Sequence, residues 1–146
     1  MADALSIGFF YFNEGKVINL NIKDVLENAG ILDEKNSEKT KELKIKSLES
    51  IGDGKVTIKS IDDETLDSIE KMSKTAFELN KNAVYQGCIE PNLKDKQLQE
   101  GLKCKTNPLG VVRKMFSRAE VEIIATEIGK LSGMYQEKDM VNEIKN

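Results

Sequence analysis

The sequence predicts an α+β fold, mainly α-helical, in which N-terminal β-hairpin elements are followed by a bundle of about four to five helices. Three stretches carry that reading. Leu43 and Ile45, then Val56 and Ile58, alternate with polar neighbours on either side of Asp53-Gly54, which is the period of a half-buried hairpin. From Asp62 onward the apolar spacing changes to three and four residues, the period of helices that each bury one stripe. The clearest case is Thr106 to Gly133, which reads as two consecutive helices.

In chain order, the first 21 residues hold Phe9, Phe10, Tyr11 and Phe12, then Asn13-Glu14-Gly15-Lys16 and the apolar Val17 to Leu20. A turn-linked pair of short strands is expected there, with rings that cap a core or, in the alternative, dock a partner. Asn21 is placed to cap a short helix through Ala29, with Val25 and Leu26 apolar and Gly30 as its stop. Asp33 to Lys41 is polar, mixed in sign and without period, which reads as a solvated linker. The expected organisation is therefore an N-terminal segment over 1–40 that ends in this linker, followed by a hairpin and helical domain over 41–146. Within the hairpin, pairing Ile51 with Val56 puts Ile51, Val56, Ile58, Ile45 and Leu43 on one face. Leu48 then falls on the wrong face, which predicts a longer or bulged connection.

Asp62 caps the next helix, its acidic first turn suits the helix dipole, and Ile61 and Leu66 are spaced as a hydrophobic staple. Leu66, Ile69, Met72, Ala76, Leu79 and Ala83 mark one face of a single long helix, loosened at Asn80-Lys81-Asn82. Val84 to Ile89 prolong the apolar pattern until Glu90-Pro91, where the residue before proline is pushed out of the α region. A short helix from Lys94 to Gly101 follows, with Leu93, Leu98 and Leu102 as its apolar contacts. Pro108 then reads as a first helical residue behind the caps Thr106 and Asn107, with Leu109, Val112, Met115 and Phe116 on one face. Ser117 ends that helix and starts the next through a capping box with Glu120. Val121, Ile124, Ala125, Ile128 and Leu131 form the buried stripe, and Gly133 is the left-handed stop. Glu137 to Ile144 offers Met140, Val141 and Ile144 for a last helical turn or two.

Composition narrows the function. A chain of 146 residues is expected to bury roughly two-thirds of its unfolded surface, enough for a real core. With 22 basic and 25 acidic residues the net charge is −3, so no global positive field exists to hold nucleic acid or an anionic membrane. No apolar run approaches the ~20 residues of a membrane span, and no basic secretory signal opens the chain, which predicts a soluble intracellular protein. Cys88 and Cys104 are too far apart for a C-x-x-C motif and are expected to be packing residues. The sequence has no histidine, which removes histidine-activated nucleophiles and the common histidine metal sites. Gly52-Asp53-Gly54-Lys55 lacks the length of a phosphate loop and has Val56 where a Ser or Thr must follow the lysine, so the turn reading prevails. No enzyme activity, cofactor or metal is expected.

Several motifs resemble those of the XkdN-like tail assembly chaperones encoded by phages, defective prophages and phage-tail-like bacteriocins. They are K-E-L-K-I-K-S-L and K-V-T-I-K-S-I-D-D-E-T-L-D-S-I in the middle of the chain, then C-I-E-P-N-L-K-D-K-Q-L. N-P-L-G-V-V-R-K-M-F-S-R-A-E-V-E-I-I-A-T-E-I-G-K-L-S-G and the closing V-N-E-I-K-N complete the set. The resemblance spans residues 41–146 and leaves the first forty outside it; the turn Ser50 to Gly54 is longer than the family pattern.

The resemblance implies a non-catalytic assembly factor that binds the tape measure protein, keeps that long helical chain soluble, and helps tail-tube protein polymerise round it. It also implies a cytoplasmic protein of the bacterial host, absent from the mature particle, and is compatible with a homo-oligomer. The alternative is a small interaction or regulatory domain, antitoxin-like or immunity-type. Partner binding is expected on the helical part, beside Met72, Phe77, Met115, Phe116, Met134, Tyr135 and Met140. Unbranched polarizable methionines adapt to varied apolar helices, although each of these residues also suits a core position.

Overall fold

The computed structural model describes residues 18–134, and the chain divides into two compact units, Met1–Ser37 and Glu38–Asn146. In the first unit, helix α1 (Ile22–Glu27) starts at Asn21, whose Oδ1 accepts from the Asp24 amide at 2.9 Å while Asp24 Oδ2 accepts from the Asn21 amide at 3.3 Å. The helix does not run through Ala29. Asn28 interrupts it by turning its side-chain amide back on the Asp24 carbonyl at 2.7 Å, and α2 (Ala29–Lys35) begins immediately after. Gly30 therefore lies inside a helix, and the expected linker is helical as far as Lys35. Neither helix buries a residue. Ile18 to Leu20 carry no strand, and the Phe9 to Phe12 segment with its turn lies outside the described residues.

The second unit opens with β1 (Thr40–Lys44) and β2 (Lys55–Lys59), paired antiparallel with Leu43 opposite Val56. That register replaces the expected pairing of Ile51 with Val56. The long connection is taken up by two 3-10 turns, Lys46–Leu48 and Gly52–Gly54, which swing half-buried Leu48 inward against the core and leave Ile51 70% exposed. Asp53 and Gly54 both adopt positive φ, and a Cβ on Gly54 would lie 2.6 Å from the Ile45 carbonyl oxygen, so the turn closes only around a glycine. Val56 and Ile58 alternate inward along β2 with 2% and 0% exposure.

Helix α3 (Asp63–Met72) is capped by Asp62, which accepts from the Thr65 amide at 2.8 Å; this bond holds the Asp62 carboxyl below its ordinary range. The single long helix expected from Leu66 to Ala83 is in fact two. It breaks at Ser73 to Thr75, and α4 (Ala76–Gly87) starts where the Thr75 hydroxyl accepts from the Glu78 amide at 3.1 Å. Asn82, expected to loosen the helix, stitches it: its buried amide donates to Ser73 Oγ at 3.0 Å and to the Glu78 carbonyl at 3.1 Å. The chain leaves α4 directly into β3 (Cys88–Glu90), which joins β2 to give the order β1-β2-β3, and a cis Glu90-Pro91 bond follows. Buried Leu93 leads into α5 (Lys96–Gly101), capped by Asp95. Gln99 is buried there, with its amide donating to the Leu93 carbonyl at 3.0 Å and the Tyr85 hydroxyl at 3.1 Å.

Helix α6 (Gly110–Met115) begins two residues beyond Pro108 and has no side-chain cap, so the capping roles expected of Thr106 and Asn107 are not realised. Helix α7 (Arg118–Leu131) starts at the Ser117 capping box: Ser117 Oγ accepts from the Glu120 amide at 3.2 Å, and Glu120 Oε1 accepts from the Ser117 amide at 2.9 Å. It ends in a Schellman arrangement, with the Gly133 and Met134 amides donating to the Lys130 and Gly129 carbonyls at 3.2 and 2.9 Å and Gly133 at φ +73°. The core gathers Val56 and Ile58 of the sheet, Val84 of α4, Leu93, Val111 and Val112 of α6, Phe116, and Val121, Ile124, Ala125 and Ile128 of α7. Among the described residues this is an α+β arrangement of seven α-helices and one three-stranded antiparallel sheet.

Candidate partner-binding site

Helix α7 is the hub on which the second unit is assembled. Ser47 donates to Glu120 Oε2 at 2.6 Å, Lys41 pairs with Glu127 at 2.6 Å, and the Ile61 amide donates to Ser132 Oγ at 2.8 Å. Three segments distant in sequence are thus tied to one helix. The Ser47 hydroxyl, followed by the Ser117 amide, holds the Glu120 carboxyl below its ordinary range, and the Lys41 bond does the same for Glu127. Close approach also matters, because a Cβ on Gly87 of α4 would lie 2.6 Å from Ile128 Cδ1.

The side chains expected to meet a partner separate into three groups on this frame. Met72, the last residue of α3, is 56% exposed, and Met134, just past the stop of α7, is 46% exposed. Phe77 and Met115 are half-buried and pack against the core with one side free. Phe116 is 2% exposed and is a core residue, so it is withdrawn from any docking face: the turn between α6 and α7 points it inward. Tyr135 and Met140 lie outside the described residues.

Around Phe77 the structure gathers groups that the apolar pattern did not announce. The Arg118 guanidinium stands 4.0 Å from the ring centroid, Lys81 Nζ at 5.1 Å and the Arg113 guanidinium at 5.6 Å. Phe77 and Lys81 are neighbours four apart on α4, Arg113 lies in the last turn of α6, and Arg118 opens α7. Arg113 is anchored by donating Nε–H to the Phe116 carbonyl at 3.3 Å. Among the described residues none of these three cations has a carboxylate within ion-pair distance. R-K-M-F-S-R holds Arg113 and Arg118 five positions apart across the helix junction, but only packing brings Lys81 and Phe77 to them.

Both cysteines are free and buried, and burial pushes the Cys88 thiol up to about 11, so it is a protonated packing group at neutral pH. Among the described residues no group of His, Cys, Asp or Glu side chains is placed to hold a metal ion, and no helix is long and apolar enough to cross a membrane. A family model described as phage XkdN-like tail assembly chaperone protein matches residues 22–145. The match begins upstream of the quoted motifs and includes α1 and α2, which precede the span 41–146 of the resemblance. No curated protein and no solved structure matches the chain.

Proposed function

From the premise that this chain belongs to the XkdN-like phage tail assembly chaperone family, we propose that it binds the tape measure protein as a non-catalytic client holder. It keeps that long helical chain soluble and assists tail-tube subunits in polymerising round it. It works in the cytoplasm of the bacterial host and is left out of the mature particle. The family match supports the general role. The observation that supports the specific one is that apolar side chains are left accessible on the helical unit, among them exposed Met72 and Met134 and half-buried Phe77 and Met115. Flexible, polarizable side chains of this kind accept varied apolar helices, as a long repetitive client requires.

The test is co-expression with the tape measure protein of the phage or prophage that encodes this chain, scored by the soluble fraction of that client. The full chain is expected to raise it, and a Met72→Ser, Met134→Ser variant is expected to fold normally and fail to do so. A client equally soluble with and without the chain would overturn the proposal.

A further inference from the structure

Three cations drawn from three elements converge on one ring in a chain whose net charge is −3. Lys41 and Lys130 both reach Glu127 and Lys55 reaches Glu42, whereas the three cations at Phe77 share one ring and, among the described residues, no carboxylate. Arg118 is moreover the first residue of α7, where the helix dipole disfavours a positive charge, so a favourable ring contact is set against an unfavourable dipole and two like neighbours. A local rule broken without internal compensation commonly marks a functional place.

We propose that the cation cluster over Phe77, formed by Lys81, Arg113 and Arg118, receives carboxylates carried on an amphipathic helix of the client. This inference rests on the client-binding function proposed above and adds the chemistry of the segment recognised. Arg113 uses Nε on the Phe116 carbonyl, which leaves its terminal amines for a carboxylate, and the Phe77 ring steadies the Arg118 guanidinium. Half-buried Phe77 supplies the apolar surface beside the cations. Acidic side chains flanking an apolar stripe therefore fit better than nucleic acid. The protein lacks the broad positive field that phosphate chains require, and the Phe77 face is covered by a guanidinium rather than open for a base to stack.

Overlapping peptides spanning the tape measure protein of the same phage or prophage, titrated against the full chain by fluorescence anisotropy, test this. The tightest peptides are expected to carry two or more Asp or Glu beside an apolar stripe and to weaken with added salt. Arg113→Gln with Arg118→Gln should weaken them at least about tenfold, the scale of losing close charge pairs. Arg118→Glu should keep or raise the melting temperature, since an acid suits that helix position, while abolishing capture of the acidic peptide. A peptide with Lys in place of Glu should then bind the Arg118→Glu chain and restore affinity. Tight peptides without acidic enrichment, or undiminished binding by the double Gln variant, would overturn the site while leaving client binding intact. Arginine-dependent binding of a DNA oligonucleotide in preference to the acidic peptides would also overturn it. If wild type binds no peptide at all, the client-binding function itself falls, and this occupant with it.

Discussion

Helices α1 and α7 begin with the same reciprocal device, Asn21 with Asp24 in one and Ser117 with Glu120 in the other, yet α1 buries none of its six residues and α7 buries five. The cap satisfies orphan amides and marks where a helix starts, at a gain of about 1 kcal/mol in either place. It says nothing about what the helix packs against. α7 has fourteen residues and meets the sheet, α4 and α6, so its stripe leaves water; α1 ends after six, and Ile22 and Leu26 stay 78% and 70% exposed. Short helices are marginal in water without such packing, so the two regions should differ in stability far more than in local signal.

The sharpest way to break that comparison is to truncate one apolar side chain in each helix. Ile128→Ala should cost about 2–5 kcal/mol, read as a lower urea midpoint, because it opens a cavity in a side chain only 1% exposed. Leu26→Ala should move the same midpoint by less than about 0.5 kcal/mol. Equal losses would mean that α1 buries what the structure leaves in solvent.

A smaller effect sharpens the account of why α7 is secure. Gly87→Ala should destabilise by about 1–3 kcal/mol, since its new methyl meets Ile128 Cδ1. Adding Ile128→Val should recover part of the loss, a coupling visible as non-additive melting temperatures. Strict additivity would show that α4 and α7 do not approach so closely.

The two caps come next. Ser117→Ala should lower global stability by about 1 kcal/mol, whereas Asn21→Ala should leave the global transition in place and speed amide exchange within residues 22–28. A matching fall in the global transition from both would erase the distinction between the regions.

The smallest effect is on acid sensitivity. Glu120 and Glu127 have folded-state pKa values below the ordinary 4.5, so their contribution is present above that value and fades as pH falls through the folded ones. Glu120→Gln should therefore lower stability at neutral pH and flatten its decline on acidification. An unchanged slope would show that the Ser47 and Ser117 bonds do not persist in solution.

Local rules were legible wherever a residue acts on its immediate neighbours. The Ser117 box, the Gly133 stop, the Asp62 cap and the apolar stripe of α7 needed only spacing and side-chain chemistry, and they appear as expected. Thr75-x-x-Glu78 marks the break before Ala76, whereas the continuous apolar face through Met72 and Ala76 points to one helix. Other features were decided only by partners remote in sequence. Three-residue β3 exists because β2 offers it a ladder, since a run that short has no period of its own. Leu43 pairs with Val56 because the 3-10 turns shorten the path between strands, a choice alternation alone leaves open by whole two-residue steps. Phe116 lies inside and Phe77 at the rim although both are aromatic residues near helix ends, and Lys81 joins Arg113 and Arg118 only because α4 packs beside α6 and α7. The sequence by itself determined where the chain turns into and out of most of its helices, because capping and periodicity are contacts within a few residues. The tertiary structure alone decided which faces meet and which charges gather, because burial and Coulomb energies depend on distance in space, which spacing along the chain does not encode.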